Sequence, residues 1–203
     1  MSIDTLFEQL KHPNPHLRDQ AMFGIFEERD ATTIDRLMAA LDDEDTNYRR
    51  SAVKALGLFG EEVVPMLVDA MLTSDNVTVR GSATKALAQI AINYPEDPFP
   101  VAGLEGLRKA LLDDNPVVNI AASMALGQIG NDALPILADT LKATDNIALQ
   151  VSLLNAMASI GGDEVRQTLE SIVNDETQDS YVRETATSCI SRLQFVQKNS
   201  WSG

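Results

Sequence analysis

A polar residue recurs along this chain at a spacing that restricts how the chain can fold. Arg18, Arg49 and Arg80 lie 31 residues apart, each in the same pattern of turn residues followed by alanines and a leucine. Three later segments, after steps of 39, 31 and 33 residues, place at this position Asn119, Gln150 and Arg183. The step of 39 contains eight extra residues, NYPEDPFP at 93–100. A period near 31 residues predicts an array of short structural repeats.

Each repeat has the pattern of a helical hairpin. In the second repeat, Ala52, Leu56 and Phe59 have the spacing of one buried helix face. Asn14 and Asn115, each followed by proline, predict the N-caps of second helices. Paired helices of this period bury their apolar faces against neighbouring repeats. We therefore predict an all-α fold, a right-handed α-solenoid (superhelix) of about six helical-hairpin repeats.

The repeats predict one domain over residues 1–195, followed by a flexible tail at 196–203. The predicted repeats span 1–29, 30–60, 61–92, 101–130, 131–161 and 162–195. Because the repeat resumes in register after 93–100, we interpret this segment as a stiff inserted loop and not as a domain linker. We expect Tyr94 and Phe99 to cover the core where repeats 3 and 4 join. Trp201 in the tail is expected to be mobile or to contact a partner.

The charge balance excludes several classes of partner. The chain of 203 residues carries 30 acidic and 16 basic residues, for a net charge of −14. This charge repels the phosphate backbone and anionic lipids, so we expect no nucleic acid partner and no membrane insertion. The N-terminus lacks the basic and apolar regions of a signal peptide. No stretch of the sequence is apolar over the roughly 18 residues that a membrane-spanning helix needs. We expect a cytoplasmic protein that is a monomer or a weak oligomer.

Few residues suit catalysis or metal binding. The single cysteine, Cys189, replaces an alanine of the repeat at an inward-facing position, so we expect a buried, inert thiol. His12 and His16 share one turn without a metal-ligand spacing, so no metal site is predicted. The acidic run from Asp42 to Asp45 lies between helices, where caps explain it better than catalysis. We predict no catalytic residue.

The repeat motif D-D/N-x-x-V-R-x-x-A-x-x-A-L-G-x-I-G resembles the HEAT-like repeats of the E/F-type phycobilin lyase family of cyanobacteria, over roughly residues 5–193. The segments DEDTNYRRSAVKALG and SDNVTVRGSATKALAQIAINYPEDPFP are most similar to the small single-chain branch of that family. The resemblance implies a HEAT-repeat protein that helps bilin attachment to a phycobiliprotein, or helps that protein fold.

From this resemblance we expect a chaperone-like or scaffold protein in phycobiliprotein biogenesis, without enzymatic activity of its own. It would hold a phycobiliprotein subunit, of phycoerythrin type, while a partner bilin lyase attaches the bilin. We expect no covalently bound cofactor and only a transient contact with bilin. Two alternatives stay open: a subunit of a heteromeric bilin lyase, or a general adaptor in iron–sulfur assembly or phycobilisome turnover.

The repeating polar position has two interpretations. It would form a ladder that binds anions, or it would have a structural role, with buried guanidinium groups bonding turn aspartates or carbonyls of the adjoining repeat. Because the residue recurs with the repeat and not at one site, we favour the structural role for Arg18, Arg49, Arg80, Asn119, Gln150 and Arg183.

The unpacked face of the second helices is the candidate partner-binding surface, because this face normally lines the concave side of such a solenoid. A basic centre with apolar ends is formed there by Phe23, Phe26, Arg50, Lys54, Lys85, Ile120, Met124 and Val151. Such a face suits an acidic protein surface or the propionates of a tetrapyrrole. Alternatively, the cations form a solvated helix face, and Phe23 and Phe26 complete the core of the first repeat.

Overall fold

The structure, a computed structural model, describes the backbone of residues 1–200 and the side chains of residues 1–193. This range holds twelve α-helices, three short 3-10 turns and no strand. The helices are α1 (Ile3–Gln9), α2 (Pro15–Glu27), α3 (Thr33–Ala39), α4 (Thr46–Gly57), α5 (Val64–Thr73), α6 (Val77–Asn93), α7 (Val101–Ala110), α8 (Pro116–Ile129), α9 (Leu134–Ala143), α10 (Ile147–Ile160), α11 (Asp163–Asn174) and α12 (Ser180–Ser200). They form six consecutive hairpins, so the predicted all-α repeat fold is confirmed.

The chain divides into two compact units, residues 1–125 and 126–203, with the boundary inside α8 and not at the loop 93–100. In the first unit, α4 packs against both α2 and α6, and α5 packs against α6 and α7. In the second unit, α10 packs against α9 and α12. Both cores are aliphatic, with fully buried side chains such as Leu56 and Leu87 in the first unit and Leu153 in the second.

Every second helix begins at an asparagine or aspartate cap. The cap side chain accepts a hydrogen bond from a backbone N–H of the first helical turn, which otherwise has no partner. The caps are Asn14, Asp45, Asn76, Asn115, Asn146 and Asp179. Pro15 and Pro116 occupy the first helical position, where the missing N–H costs nothing. The caps predicted at Asn14 and Asn115 are confirmed.

A second hydrogen bond closes the turn between the helices in five of the six repeats. The side chain at the repeating position donates to the backbone carbonyl six residues earlier, and we call this contact the turn bond. The donor–acceptor pairs are Arg18 with His12, Arg49 with Asp43, Arg80 with Ser74, Asn119 with Asp113 and Gln150 with Thr144. The distance is 2.7 Å for Arg18 and 2.8 Å for Gln150. Arg183 differs: it forms no such bond within the described residues, and its Nε is buried without a hydrogen-bond partner.

The residue that accepts the turn bond also holds the helix cap. Its side chain accepts a hydrogen bond from the backbone N–H of the cap residue, two residues later. These pairs are His12 with Asn14, Asp43 with Asp45, Ser74 with Asn76, Asp113 with Asn115 and Thr144 with Asn146. One turn residue therefore uses its carbonyl and its side chain to fix the start of the second helix.

These contacts support the structural interpretation of the repeating position, with one correction. We expected the side chains to join adjoining repeats, which is wrong for Arg18 and Arg49. Their guanidinium groups bond turn carbonyls of their own repeat. The physical reason is position: each arginine lies in the first turn of its helix, close to the unpaired carbonyls of the turn that precedes it.

Arg80 both closes its own turn and joins repeats 3 and 4. Its Nε and Nη2 donate to the two carboxylate oxygens of Asp113 at 2.8 and 3.2 Å, and both side chains are less than a fifth exposed. Burial acts to raise the pKa of Asp113. The hydrogen bonds from Arg80 and from the Asn115 N–H, with the guanidinium charge, outweigh burial and hold this pKa below its ordinary value. The pair anchors repeat 4 after the inserted loop.

The inserted loop contacts the second and the fourth repeats. The hydroxyl of Tyr94 donates to the carbonyl of Leu58 in repeat 2 at 2.6 Å, although the ring is 37% exposed. Phe99 is buried and packs on Gly103 of α7, where a Cβ atom would lie 2.6 Å from the ring. Phe99 thus covers the core as expected, whereas Tyr94 ties the loop back to repeat 2. That hydrogen bond depends on the folded path of the loop, which the sequence pattern does not show.

The last helix is longer than predicted. We placed the start of a tail at residue 196, but α12 continues to Ser200. No glycine or proline occurs between residues 181 and 200 to end the helix earlier. Trp201 lies outside the described residues. None of the helices in the described part of the chain is long and apolar enough to cross a membrane.

The lowered pKa of Asp113 predicts how stability changes with pH. Asp113→Asn should lower the free energy of unfolding by about 1–3 kcal/mol at pH 7, because the bidentate bond to Arg80 is lost. Since the folded-state pKa is below the unfolded value, this contribution is present above the unfolded pKa of about 3.9 and is lost as pH falls through the folded pKa. Urea denaturation from pH 7 to pH 3 measures this.

The matched control is Asp114→Asn, which removes the same charge from the exposed neighbour. It should change the free energy of unfolding by less than about 0.5 kcal/mol at pH 7. Equal losses for both variants, or a loss for Asp113→Asn that does not become smaller between pH 7 and pH 3, would contradict this account of the ion pair.

Candidate partner-binding surface

Most of the predicted surface residues form one exposed row in the first unit. They lie at equivalent positions on α2, α4, α6 and α8. We call this row the strip, and its members are Phe23, Arg50, Lys54, Lys85, Ile120 and Met124. Because α4 packs against α2 and α6, and the axes of packed helices are about 8–10 Å apart, equivalent residues on these helices are neighbours in the row. Helix α6 approaches α8 closely, since a Cβ atom on Gly81 would lie 3.4 Å from Val117.

The ends of the strip are apolar and accessible. Phe23 is 53% exposed, Met124 is 63% exposed and Ile120 is 39% exposed. Val117, one helical turn before Ile120, adds a further exposed apolar side chain that the sequence pattern did not single out. Three exposed large apolar side chains grouped on one helix, α8, indicate a contact surface.

The charges of the strip are partly neutralised by a contact that we did not predict. Nζ of Lys54 lies 3.4 Å from Oδ1 of Asp19, which belongs to the preceding repeat. Asp19 and Arg50 occupy equivalent positions, as do Lys54 and Lys85. From this equivalence we infer that Arg50 of repeat 2 lies beside Lys85 of repeat 3, as Asp19 of repeat 1 lies beside Lys54 of repeat 2.

Arg50 and Lys85 consequently form the cationic centre of the strip. Among residues 1–193, neither side chain forms an ion pair, and both are exposed. Two neighbouring cations repel each other and attract an external carboxylate. The surface thus combines apolar ends with a positive centre in a chain whose net charge is −14.

Phe26 does not belong to the exposed strip. Its ring is half-buried and meets Phe59 of the next repeat edge to face, with ring centroids 5.2 Å apart. The Arg29 guanidinium lies over the same ring, 4.6 Å from its centroid. The equivalent residue, Gly57, sits where helices approach closely, because a Cβ atom there would lie 2.4 Å from Gln89. Most other repeats have a glycine, alanine or serine at the position of Phe26. These small residues were the sequence signal that this position packs against the next repeat.

Val151 lies on α10 in the second unit, and its side chain is half-buried. The residues equivalent to Lys54 in this unit are neutral. One of them, Asn155, donates to the carbonyl of Val151 at 2.8 Å and accepts from Arg192 at 2.6 Å. Its polar groups are already paired within the unit, and the cations of the predicted surface, Arg50, Lys54 and Lys85, all belong to the first unit.

Cys189 is fully buried in the second unit. Its Sγ faces the carbonyl of Leu154 at 3.7 Å and accepts from the Arg192 guanidinium at 2.9 Å. A thiol without solvent access cannot attack an external electrophile.

The acidic run after α3 is used for capping. Asp45 caps α4 by accepting from the N–H groups of Asn47 and Tyr48, and Asp43 accepts the N–H of Asp45. Among the residues that the structure describes, no group of three His, Cys, Asp or Glu side chains could hold a metal ion.

Comparison with known proteins agrees with this architecture. The family model for HEAT repeats matches residues 3–88 and 104–191, on either side of the inserted loop. A chain of the complex of CpcE and CpcF of phycocyanin lyase from Nostoc sp. PCC7120 has a similar fold, with a TM-score of 0.50 and 21% identity over 76% of this chain and 96% of that chain. The fold is therefore that of a HEAT-repeat protein.

Two relatives show which HEAT-repeat family the chain belongs to. Phycocyanin operon protein Z of Pseudanabaena tenuis (strain PCC 7409) is 57% identical over 97% of both chains. The bilin biosynthesis protein CpeZ of Synechococcus sp. (strain WH8020) is 36% identical over 81% of this chain and 91% of the relative. The chain belongs to the HEAT-repeat family that includes these two proteins, which confirms the resemblance seen in the sequence.

The different surroundings of Phe23 and Phe26 predict different effects on stability. Phe26→Ala should lower the free energy of unfolding by about 2 kcal/mol, because it removes the packing on Phe59. Phe23→Ala serves as the matched control and should change it by less than about 1 kcal/mol, because the ring is 53% exposed. Urea denaturation of both variants measures the difference, and equal losses would show that Phe23 is also part of the core.

Proposed function

We propose that this chain acts in phycobiliprotein assembly by holding a phycobiliprotein subunit on the strip while a separate lyase attaches bilin to that subunit. The family supplies the process, because one relative is named a bilin biosynthesis protein and another a phycocyanin operon protein. The exposed residues of the strip support the choice of the binding surface. In this role the chain is a scaffold whose contribution is binding.

The observation that carries the proposal is the strip itself. Phe23 and Met124 can insert into apolar depressions of a partner, and methionine adapts to uneven surfaces. Arg50 and Lys85 lie on the helices between them and form no ion pair within residues 1–193, so they would meet carboxylates of the partner. A partner surface with an acidic centre and apolar flanks is the complement of this arrangement.

The burial of Cys189 supports a bilin bond on the client and not on this chain. Covalent attachment needs a thiolate that the bilin can reach, and the single cysteine of this chain is fully buried. The bond would therefore form on a cysteine of the client. Any contact between this chain and bilin would be transient, through the client held on the strip.

Two observations point to different types of client. The resemblance seen in the sequence favours phycoerythrin, whereas the name of the relative with 57% identity refers to a phycocyanin operon. Both kinds of subunit therefore enter the test as separate arms, with phycoerythrin as the client that we expect to bind.

A charge-reversal experiment tests the proposed surface. Purified subunits of phycoerythrin and of phycocyanin are titrated onto the immobilised chain. Arg50→Glu combined with Lys85→Glu should raise the Kd of the client at least about tenfold, equivalent to 1.4 kcal/mol. The physical reason is that two acids then face the acidic centre of the client.

The matched control is Lys109→Glu combined with Lys142→Glu, which changes the net charge equally on exposed first-helix residues. This variant should keep the Kd within about twofold. Equal weakening by both variants would show a net-charge effect and not a surface. If neither phycobiliprotein is retained, the proposed client is wrong.

Co-expression with a client subunit and bilin separates a scaffold from a lyase. We expect the chain to increase bilin attachment only when a separate lyase is also present. Attachment by this chain alone would overturn the scaffold role.

A further inference from the structure

A preformed pocket lies under the inserted loop of the first unit. Its volume is about 320 Å³. Phe59, Ile90 and Phe99 contribute buried apolar surface, and the exposed ring of Tyr94 forms part of the wall. Pockets that bind small ligands begin near this volume, so the space suits one long side chain and not a whole tetrapyrrole. The pocket shares no residue with the strip.

The loop holds this pocket in a fixed shape. The Tyr94 hydroxyl is bonded to the Leu58 carbonyl at 2.6 Å, and Phe99 is packed against Gly103. Pro98 and Pro100 also line the pocket, and proline rings restrict the backbone. A preformed site binds a ligand without first ordering the loop, which favours affinity.

The charges around the pocket select the sign of the ligand. Glu61 and Asp97 are exposed acids on its lining, and no lysine, arginine or histidine is among the residues that line it. An anionic group, such as a propionate, would be repelled there. A cation would be attracted by both carboxylates and by the aromatic rings, whose faces attract positive charge.

Elsewhere this chain already places arginine on aromatic rings. The Arg36 guanidinium lies 3.8 Å from the centroid of Phe7, and that of Arg29 lies 4.6 Å from the centroid of Phe26. A guanidinium is planar, so it stacks on a ring while its N–H groups bond a carboxylate. A lysine ammonium is compact and strongly hydrated, and it gains less in such a site.

We propose that this pocket binds an arginine side chain presented by a partner protein. The guanidinium would bond Glu61 and Asp97, and the arginine stem would lie on the apolar wall formed by Phe59 and Tyr94. This inference does not rest on the client proposed for the strip, because the pocket is separate and its ligand has the opposite charge. The chain would thereby bind acidic and basic groups at two different surfaces.

Titration of the full chain with N-acetyl-arginine amide tests the pocket directly. This probe has one positive charge and no terminal charges. In two-dimensional ¹H–¹⁵N NMR spectra we expect saturable shifts of the Gly60 and Phe99 amide signals. The uncharged isostere N-acetyl-citrulline amide should cause no shift, and N-acetyl-lysine amide should bind several-fold more weakly. Absence of shifts with the arginine probe, or equal binding of either analogue, would overturn the proposal.

A neighbouring pair of acids provides the control. Glu61→Gln with Asp97→Asn should weaken binding of the arginine probe at least fivefold. Glu62→Gln with Glu96→Gln removes the same charge from the adjacent exposed residues, which do not line the pocket, and should leave binding within twofold. Equal weakening by the two double variants would show general attraction to an acidic protein and contradict the site.

Discussion

The turn bond is the contact on which five of the six repeats depend. A carbonyl in the turn between two helices has no helical partner, and a buried carbonyl without a hydrogen bond is costly. Here a side chain in the first turn of the second helix supplies the donor. Arg49, Asn119 and Gln150 differ in size and charge but each offers an N–H group, which explains why the position accepts all three. The recurring need is for a donor and not for a charge.

Function arises where the repeats differ. The caps fix the start of the second helix in all six hairpins, and the turn bond adds to them in five, so equivalent positions on packed second helices form rows. One row carries Asp19 in the first repeat and Arg50 in the next. That single difference gives Lys54 an acidic partner. From the equivalence of the positions we infer a basic neighbour for Lys85. The proposed surface is thus a local departure from the repeat on a common scaffold.

Much of this architecture could be predicted from the sequence, because helix periodicity and caps are local. The six hairpins and the caps at Asn14 and Asn115 follow from spacing alone. Contacts between repeats were harder to predict, since they depend on which helices approach closely and on rotamers. The packing of Phe26 on Phe59 is of this kind. So is the pocket, which needs the folded path of the loop to bring Asp97 near Glu61.

The turn bond is tested most directly by changing one donor in two ways. Arg49→Met keeps a long stem without an N–H group, whereas Arg49→Gln keeps a donor like that of Gln150. Urea denaturation should show a loss in the free energy of unfolding of about 1–3 kcal/mol for Arg49→Met and less than about 1 kcal/mol for Arg49→Gln. Equal losses would contradict the claim that the repeat requires a donor at this position.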